Sequence, residues 1–142
     1  KAEAETLLNK HSGLIGLSGT SSDMREIESE MEAGDKKSKI AFDVFTYRVK
    51  KYIGAYAAAM GGIDAVVFTG GIGENSINVR KAVCSDMEFL GIKINEEKNA
   101  SKEKEKNISD DNSKVAVLVI PTNEELVIAM DTDRIVKEMK KN

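Results

Sequence analysis

Apolar residues recur at steps of three and four through the middle of the chain, which is the pattern of an amphipathic helix. The pattern predicts one long helix over residues 36–60, ended by Gly61 and Gly62. Small residues near its end would let a neighbouring element approach closely. The predicted apolar stripe consists of Ala41, Val44, Phe45, Val49, Tyr52, Ile53, Tyr56, Ala59 and Met60.

Three shorter helices are also predicted. The first covers residues 2–11, and another follows the glycine-rich corner over residues 75–87. The remaining one begins after Ser22 or Asp23, both of which can cap a helix. With Asp23 as the N-cap, Glu26 stands three residues on, which is the spacing of a capping box.

The last predicted helix, within residues 122–142, follows the only proline and has Thr122 or Asn123 as its N-cap. Its charges match the helix dipole, with acidic residues in the first turn and basic residues in the last. These residues are Glu124, Glu125, Lys137, Lys140 and Lys141.

Short apolar runs bounded by Gly or Pro predict the strands. The clearest are residues 63–69 and 114–121, and the first suits a strand that is buried on both faces. Weaker strands are predicted where isoleucines alternate within residues 89–99, and among the glycines and serines of residues 12–23. Residues 96–114 are polar and charged, and we expect a solvated excursion there. Helices that alternate with buried strands indicate an α/β fold.

Composition narrows the class of protein. The 142 residues suit one domain, and 21 basic against 24 acidic residues give a net charge of −3. We therefore expect no nucleic-acid partner, and no apolar run predicts a membrane-spanning helix. The single cysteine, Cys84, indicates a reducing compartment and hence a cytoplasmic protein. Because the chain begins at Lys1 within a helical pattern, without Met or a signal peptide, we expect a piece of a longer protein.

The glycine-rich corner at residues 70–73 is the first candidate site. Glycines between a strand and a helix let backbone N–H groups approach a phosphate. No Gly-Lys-Ser/Thr follows, so the corner is not a P-loop. Gly71 and Gly73 start a dinucleotide fingerprint, but Ser76 stands where its third glycine belongs. Spacing alone therefore leaves both a nucleotide site and a plain turn open.

Charged residues at two predicted helix starts are further candidates. Asp23 and Arg25 can be a helix cap with a surface charge, or part of a binding site. Glu124 and Glu125 can compensate the helix dipole, or one of them can hold Mg²⁺ through water.

Four segments taken together resemble the C-terminal part of the acetate kinase family. They are SGTSSDMREIE, KKYIGAYAAAMGGIDAVVFTGGIGENS, FLGI and VIPTNEELVIA, in that family's order and at its spacing. The resemblance covers nearly the whole chain and is weakest across residues 96–113. Propionate and butyrate kinases have similar motifs and remain the alternative, as does a non-catalytic nucleotide-binding or dimerisation module.

The resemblance implies a ribonuclease-H-like fold, shared by acetate and sugar kinases, heat-shock chaperone ATPases and actin. Residues 1–121 would belong to the C-terminal nucleotide-binding domain, and residues 122–142 would form a helix that packs back on an N-terminal domain. The implied reaction transfers the γ-phosphoryl group of ATP to acetate and gives acetyl phosphate and ADP. The family also implies a homodimer, to which the helix at residues 36–60 can contribute.

The resemblance carries site residues over position by position. Glu124 matches the carboxylate assigned to Mg²⁺. The family's catalytic Asp, its phosphate-contacting His and Arg residues and its acetate pocket lie upstream of the matched segments. The resemblance therefore implies no catalytic residue in this chain, and an inactive chain on its own. The positions that match the family's nucleotide site are Asp23, Met24, Arg25, Gly71, Ile72, Gly73, Glu74 and Asn75.

Overall fold

A computed structural model describes residues 2–139 as helices around a small sheet. The helices are α1 (Ala2–Lys10), α2 (Leu14–Ser18), α3 (Met24–Glu32), α4 (Lys36–Met60), α5 (Gly70–Asn75), α6 (Ile77–Cys84), α7 (Glu96–Ala100) and α8 (Glu124–Met139). The strands are β1 (Ala65–Phe68), β2 (Lys106–Asn107) and β3 (Ala116–Val119), and a short 3₁₀ turn covers Glu88–Leu90.

The sheet has the order β1–β3–β2, with β1 parallel and β2 antiparallel to β3. Ala65 pairs with Ala116 and Phe68 with Val119, so both long strands end at the same edge. A parallel pair joined through helices is an α/β arrangement, and the predicted class is confirmed.

One face of the sheet carries the core. Val66 and Phe68 are buried, whereas Val67 between them is 48% exposed. The prediction that β1 is buried on both faces is therefore wrong for this chain, because helices cover only one side of its sheet. The apolar residues that line that side include Ile27, Phe42, Val79, Val83, Ile92, Ile108, Val117 and Val119.

The long helix is confirmed as α4 (Lys36–Met60). The Asp35 carboxylate caps its start by accepting from the Ser38 N–H at 2.6 Å. Its end is a left-handed Gly61, with φ of 75°. The Gly62 N–H then bonds back to the Ala57 carbonyl at 2.9 Å, which satisfies one of the last helical carbonyls.

Two predicted strands are wrong. Residues 12–23 contain the helix α2, which lies between Gly13 and Gly19, both with positive φ. A short apolar run does not distinguish helix from strand, and these two glycines give the backbone the freedom to bound a helical turn. In the segment 89–99 only Ile94 forms a strand-like bridge, to Ser109.

The segment 96–114 is more ordered than a solvated excursion. It contains α7 and β2, and β2 adds a third strand to the sheet by pairing with β3. Ile108 is fully buried and Asn99 is 1% exposed. The prediction failed because these two buried side chains are isolated among charged ones, which leaves no periodic pattern.

The final helix is α8, and none of its residues is buried. Asn123 caps it by accepting from the Leu126 N–H at 3.0 Å, as one of the two predicted alternatives. Lys137 lies in the last described turn, whereas Lys140 and Lys141 lie outside the described residues. No helix between residues 2 and 139 is long and apolar enough to cross a membrane.

Candidate functional site

The glycine-rich corner is itself a short helix, α5, rather than a loop. Gly70 begins it with φ of 71°, a value that favours glycine. At Gly73 an added Cβ would lie 3.2 Å from the Phe68 carbonyl carbon, so α5 lies directly against the end of β1. The helix predicted over residues 75–87 is the shorter α6, which begins after Ser76 and ends at Cys84.

The chain that leaves β3 holds the start of α5. The Thr122 hydroxyl accepts from the Gly70 N–H at 3.1 Å and lies 2.7 Å from the Thr69 hydroxyl. The Glu74 carboxylate in turn accepts from the Thr122 N–H at 2.8 Å. This hydrogen bond lowers the pKa of Glu74 below its usual value. Glu74 therefore fastens α5 to the end of the sheet.

Ser76 explains why the dinucleotide fingerprint fails. It is the N-cap of α6, and its hydroxyl accepts from the Val79 N–H at 2.9 Å. The same hydroxyl donates to Glu28 of α3 at 2.8 Å. A glycine here would lose both bonds, so the residue that breaks the motif joins α3 to α6.

One cleft brings the two predicted nucleotide segments together. It has a volume of about 640 Å³, and its walls come from the start of α3 and from α5 with the residue that follows it. The lining residues are Asp23, Arg25, Glu28, Gly71, Ile72, Asn75 and Ser76.

Asp23 and Arg25 form an ion pair at the edge of this cleft. Asp23 is the N-cap of α3, as predicted, and accepts from the Arg25 N–H at 2.9 Å. Its carboxylate also accepts from the Arg25 guanidinium at 2.5 Å, and these bonds lower the pKa of Asp23 to about 2. The predicted capping box is not formed, because the Asp23 N–H donates to the Ser21 hydroxyl at 2.9 Å and not to Glu26.

Four of the predicted site residues do not line the cleft. Gly73 lies against Phe68 at the end of β1. The Met24 side chain is 3% exposed and belongs to the core beneath it. Glu74 faces Thr122, and Glu124 is exposed at the start of α8. In the described part of the chain, no three His, Cys, Asp or Glu side chains come close enough to hold a metal ion.

The volume and accessibility of the cleft suit a small molecule such as a nucleotide. The acidic residues in the described part of the chain form no cluster that could hold a metal ion by itself. Its volume lies within the range of about 300–1,000 Å³ that is usual for small-molecule sites. Nothing lies within 4 Å of the position of a Cβ on Gly71, so a ligand can approach the backbone there. Mg²⁺ commonly binds one or two carboxylates together with phosphate oxygens and water. Glu124 would therefore supply only one of the ligands of such a site.

Sequence reasoning missed Arg80, which is 1% exposed and donates to the carbonyl oxygens of Gly73 and Glu74 at 2.9 and 2.8 Å. One signal was available. Arg80 stands three and four residues before Val83 and Cys84, which places its charge on the buried stripe of α6. It also missed Thr122, whose bond to Gly70 spans 52 positions of the chain.

The α/β fold of this chain is also that of part of the acetate kinases of known structure. A crystal structure of Porphyromonas gingivalis acetate kinase matches 95% of this chain with a TM-score of 0.87 and 51% identity. The match uses 34% of that enzyme. A propionate kinase structure from Francisella tularensis matches 90% of this chain, at a TM-score of 0.81 and 43% identity, over 32% of its own length.

The family model of the acetokinase family matches residues 1–130, and the chain belongs to that family. An acetate kinase from Symbiobacterium thermophilum is 55% identical to it over 136 residues. Those residues make up 96% of this chain and 34% of the relative. The chain thus spans about a third of the length of the relatives that it matches.

Proposed function

We propose that the protein to which this chain belongs is an acetate kinase that transfers the γ-phosphoryl group of ATP to acetate, giving acetyl phosphate and ADP. The observation that carries the proposal is the cleft between α3 and α5. It joins Asp23 and Arg25 to Gly71, Ile72 and Asn75 in a chain of the acetokinase family.

ATP supplies the phosphoryl group, and the residues of this chain bind and orient it. We assign adenosine contacts to residues 23–25, with the side chain of Met24 fixing the start of α3 from the core. We assign the phosphate side to residues 71–75, where Gly71 leaves the backbone accessible and Gly73 keeps α5 against β1. Phosphoryl transfer depends mainly on positioning and electrostatic stabilisation, so a rigid wall contributes directly to the rate.

Glu124 is our candidate carboxylate for Mg²⁺. It lies two residues after Thr122, whose hydroxyl and N–H both contact α5, so the start of α8 is held near the proposed nucleotide site. Glu125 is exposed in the same turn and offers the alternative ligand. The other ligands would come from phosphate oxygens, water and residues outside this chain.

We propose that these 142 residues are inactive by themselves. The residues that this family uses to stabilise the transferring phosphoryl group are expected upstream, and one face of the sheet is left open. Residues 1–121 would be part of the nucleotide-binding domain, with residues 122–142 packing on a further domain.

The exposure of Tyr47, Tyr52 and Tyr56 on α4 supports a homodimer that forms through this helix. Use of ATP and a free cysteine support a cytoplasmic enzyme.

The test measures acetyl phosphate, trapped as its hydroxamate, with the intact protein in the presence of acetate, ATP and Mg²⁺. We expect turnover by the intact protein and none by the 142-residue chain at the same concentration. An intact protein that binds ATP but phosphorylates no short carboxylate would contradict the assignment. Comparable turnover by the chain alone would show that the catalytic groups had been misplaced.

The second candidate is a propionate kinase, which is favoured by the likeness to the Francisella tularensis enzyme. Its reaction differs only in the acyl acceptor, and none of the residues assigned here contacts that acceptor. The ratio of kcat/KM for acetate and propionate, measured with the intact protein, separates the two.

A further inference from the structure

Arg80 is buried without a carboxylate partner. Its exposed fraction is 1%, and none of the ion pairs in the described part of the chain includes Arg80. Burying a charge costs free energy unless the group is well hydrogen-bonded. Arg80 therefore depends on neutral acceptors, and the identity of those acceptors indicates what it does.

Two of the acceptors belong to the last turn of α5. One terminal nitrogen of Arg80, Nη1, donates to the carbonyl oxygens of Gly73 and Glu74 at 2.9 and 2.8 Å. Carbonyls at the end of a helix lack partners within it and carry partial negative charge. A guanidinium in this place fixes the end of α5, and Arg80 is not among the residues that line the cleft.

The other acceptors belong to Asn99 of α7. Nε of Arg80 donates to the Asn99 side-chain oxygen at 2.6 Å, and Nη2 donates to its backbone oxygen at 3.0 Å. Asn99 is 1% exposed, and its amide nitrogen donates to the Ile77 carbonyl at 3.1 Å. Asn99 thus fixes the orientation of the guanidinium plane, and in this orientation Nη1 reaches the two carbonyl oxygens of α5.

The helix α5 needs such support because it is short and rich in glycine. It has six residues, three of them Gly, and glycine is among the least favourable residues in a helix. Thr122 holds its first residue and Arg80 its last turn. The rest of the helix borders the cleft, so its position depends on these two ends.

We propose that Arg80, oriented by Asn99, is a positioning residue for nucleotide: it holds the α5 wall in the geometry that binds the nucleotide phosphates. This inference rests on the proposed function. Arg80 does not face the cleft between α3 and α5, so it acts through the backbone of residues 73 and 74 rather than by contact with the ligand.

The test compares Arg80→Met, Asn99→Ala and Val83→Ala in the intact protein. Methionine nearly fills the space of the arginine stem but donates no hydrogen bond. Val83 is fully buried on the same helix and makes none of these bonds, so Val83→Ala is the matched control for lost packing. We measure the Kd for ADP, the KM values for ATP and acetate, and the thermal midpoint.

We expect Arg80→Met to raise the Kd for ADP and the KM for ATP by about tenfold, the equivalent of roughly one charge-assisted hydrogen bond. The KM for acetate should not change. Asn99→Ala should shift the nucleotide constants in the same direction by less, and it provides the test if Arg80→Met does not fold. Val83→Ala should lower the thermal midpoint and leave the nucleotide constants unchanged. A purely structural Arg80 would give the Val83→Ala result, and that outcome overturns the inference.

Hydrogen exchange without ligand separates this inference from the proposed function. Arg80→Met should speed exchange of the backbone amides at residues 73–77 more than Val83→Ala does. If the unchanged protein binds no adenine nucleotide, the proposed function fails, and the exchange result alone decides whether Arg80 positions α5. Equal exchange in the two variants overturns the positioning role even where nucleotide binds.

Discussion

The Glu74 carboxylate accepts a hydrogen bond from the Thr122 N–H at 2.8 Å, which joins α5 to the chain that leaves β3. The two residues lie 48 positions apart, in the segments that follow the neighbouring parallel strands β1 and β3. Because both strands end at one edge of the sheet, a single carboxylate can fasten the glycine helix to that edge.

The bond predicts a pH dependence of stability. The Thr122 N–H lowers the pKa of Glu74 from 4.5, so the folded state favours the carboxylate. The stabilisation is present above pH 4.5 and is lost as the pH falls through the lowered pKa. We expect the free energy of unfolding, from urea titrations, to fall less steeply below pH 4.5 in Glu74→Gln than in the unchanged chain. Glu125→Gln, at an exposed position of α8, is the control. If the free energy of unfolding of Glu74→Gln falls as steeply below pH 4.5 as that of the unchanged chain, the prediction is refuted.

Gly73→Ala should destabilise the chain. The new Cβ would lie 3.2 Å from the Phe68 carbonyl carbon and 3.4 Å from its Cα, so α5 must move away from β1. Overpacking of this kind costs about 1–3 kcal/mol. A shift of the urea midpoint to lower concentration, with an unchanged slope, is the expected result. An unaltered midpoint would show that α5 does not lie against β1.

Gly71→Ala is the matched control and makes the opposite prediction. Gly71 has no positive φ, and nothing lies within 4 Å of its Cβ position. Alanine at such a position commonly raises stability by roughly 0.4–1 kcal/mol, because it restricts the unfolded chain. The methyl group would, however, enter the cleft. We expect unchanged or higher stability with weaker ADP binding by the intact protein, as measured by calorimetry; unaltered binding would mean that the nucleotide does not approach residue 71.

The sequence predicted local elements well wherever the signal was periodic or a cap was present. The bounds of α4 follow from its apolar stripe and from Gly61, and Asp23 was predicted as a cap. The α/β class and the family also followed from the sequence. The side chains of Asp23 and Arg25 share a cleft with residues 71, 72 and 75. The assignment of that cleft to a nucleotide stays a prediction.

The rest depends on contacts between distant parts of the chain. Ser76 differs from the dinucleotide pattern because it bonds to Glu28 on another helix. Asn99 looks like part of a charged loop because its partners, Arg80 and Ile77, precede it by 19 and 22 positions. Even the exposure of Val67 is set by what covers the sheet and not by the strand's own residues.

Arg25→Gln should raise the pKa of Asp23 from about 2 toward 3.8, since the guanidinium hydrogen bond is the largest cause of the lowering. The return should be partial, because the backbone N–H of residue 25 still donates to the carboxylate. Carboxyl chemical shifts followed by NMR between pH 2 and pH 6 measure the change (roughly the range in which carboxylates titrate). The pKa of Asp35 is lowered by its bonds to Ser38 and should stay where it is.

The lowered pKa of Asp23 in the unchanged chain also makes stability depend on pH. A lowered pKa means that the Asp23–Arg25 pair stabilises the folded chain above pH 3.8 and loses this contribution as the pH falls toward about 2. Arg25→Gln should therefore flatten the acid side of the stability curve. If the substitution leaves the pKa of Asp23 unchanged, the lowered pKa must come from the backbone hydrogen bond of the helix cap alone.

The exposed apolar side chains of α8 are where we expect this chain and the intact protein to differ. Leu126 and Met130 are 53% and 64% exposed and lie one turn apart on the same face. In this chain, Leu126→Gln with Met130→Gln should change the free energy of unfolding by no more than about 0.5 kcal/mol, as for most surface changes. Ile27→Ala, at a fully buried position, should cost about 2–5 kcal/mol and shows that the assay detects a core change. If α8 packs on a further domain of the intact protein, the double substitution should lower the thermal midpoint there. An intact protein that tolerates it as well as the chain does would refute the proposed packing of residues 122–142.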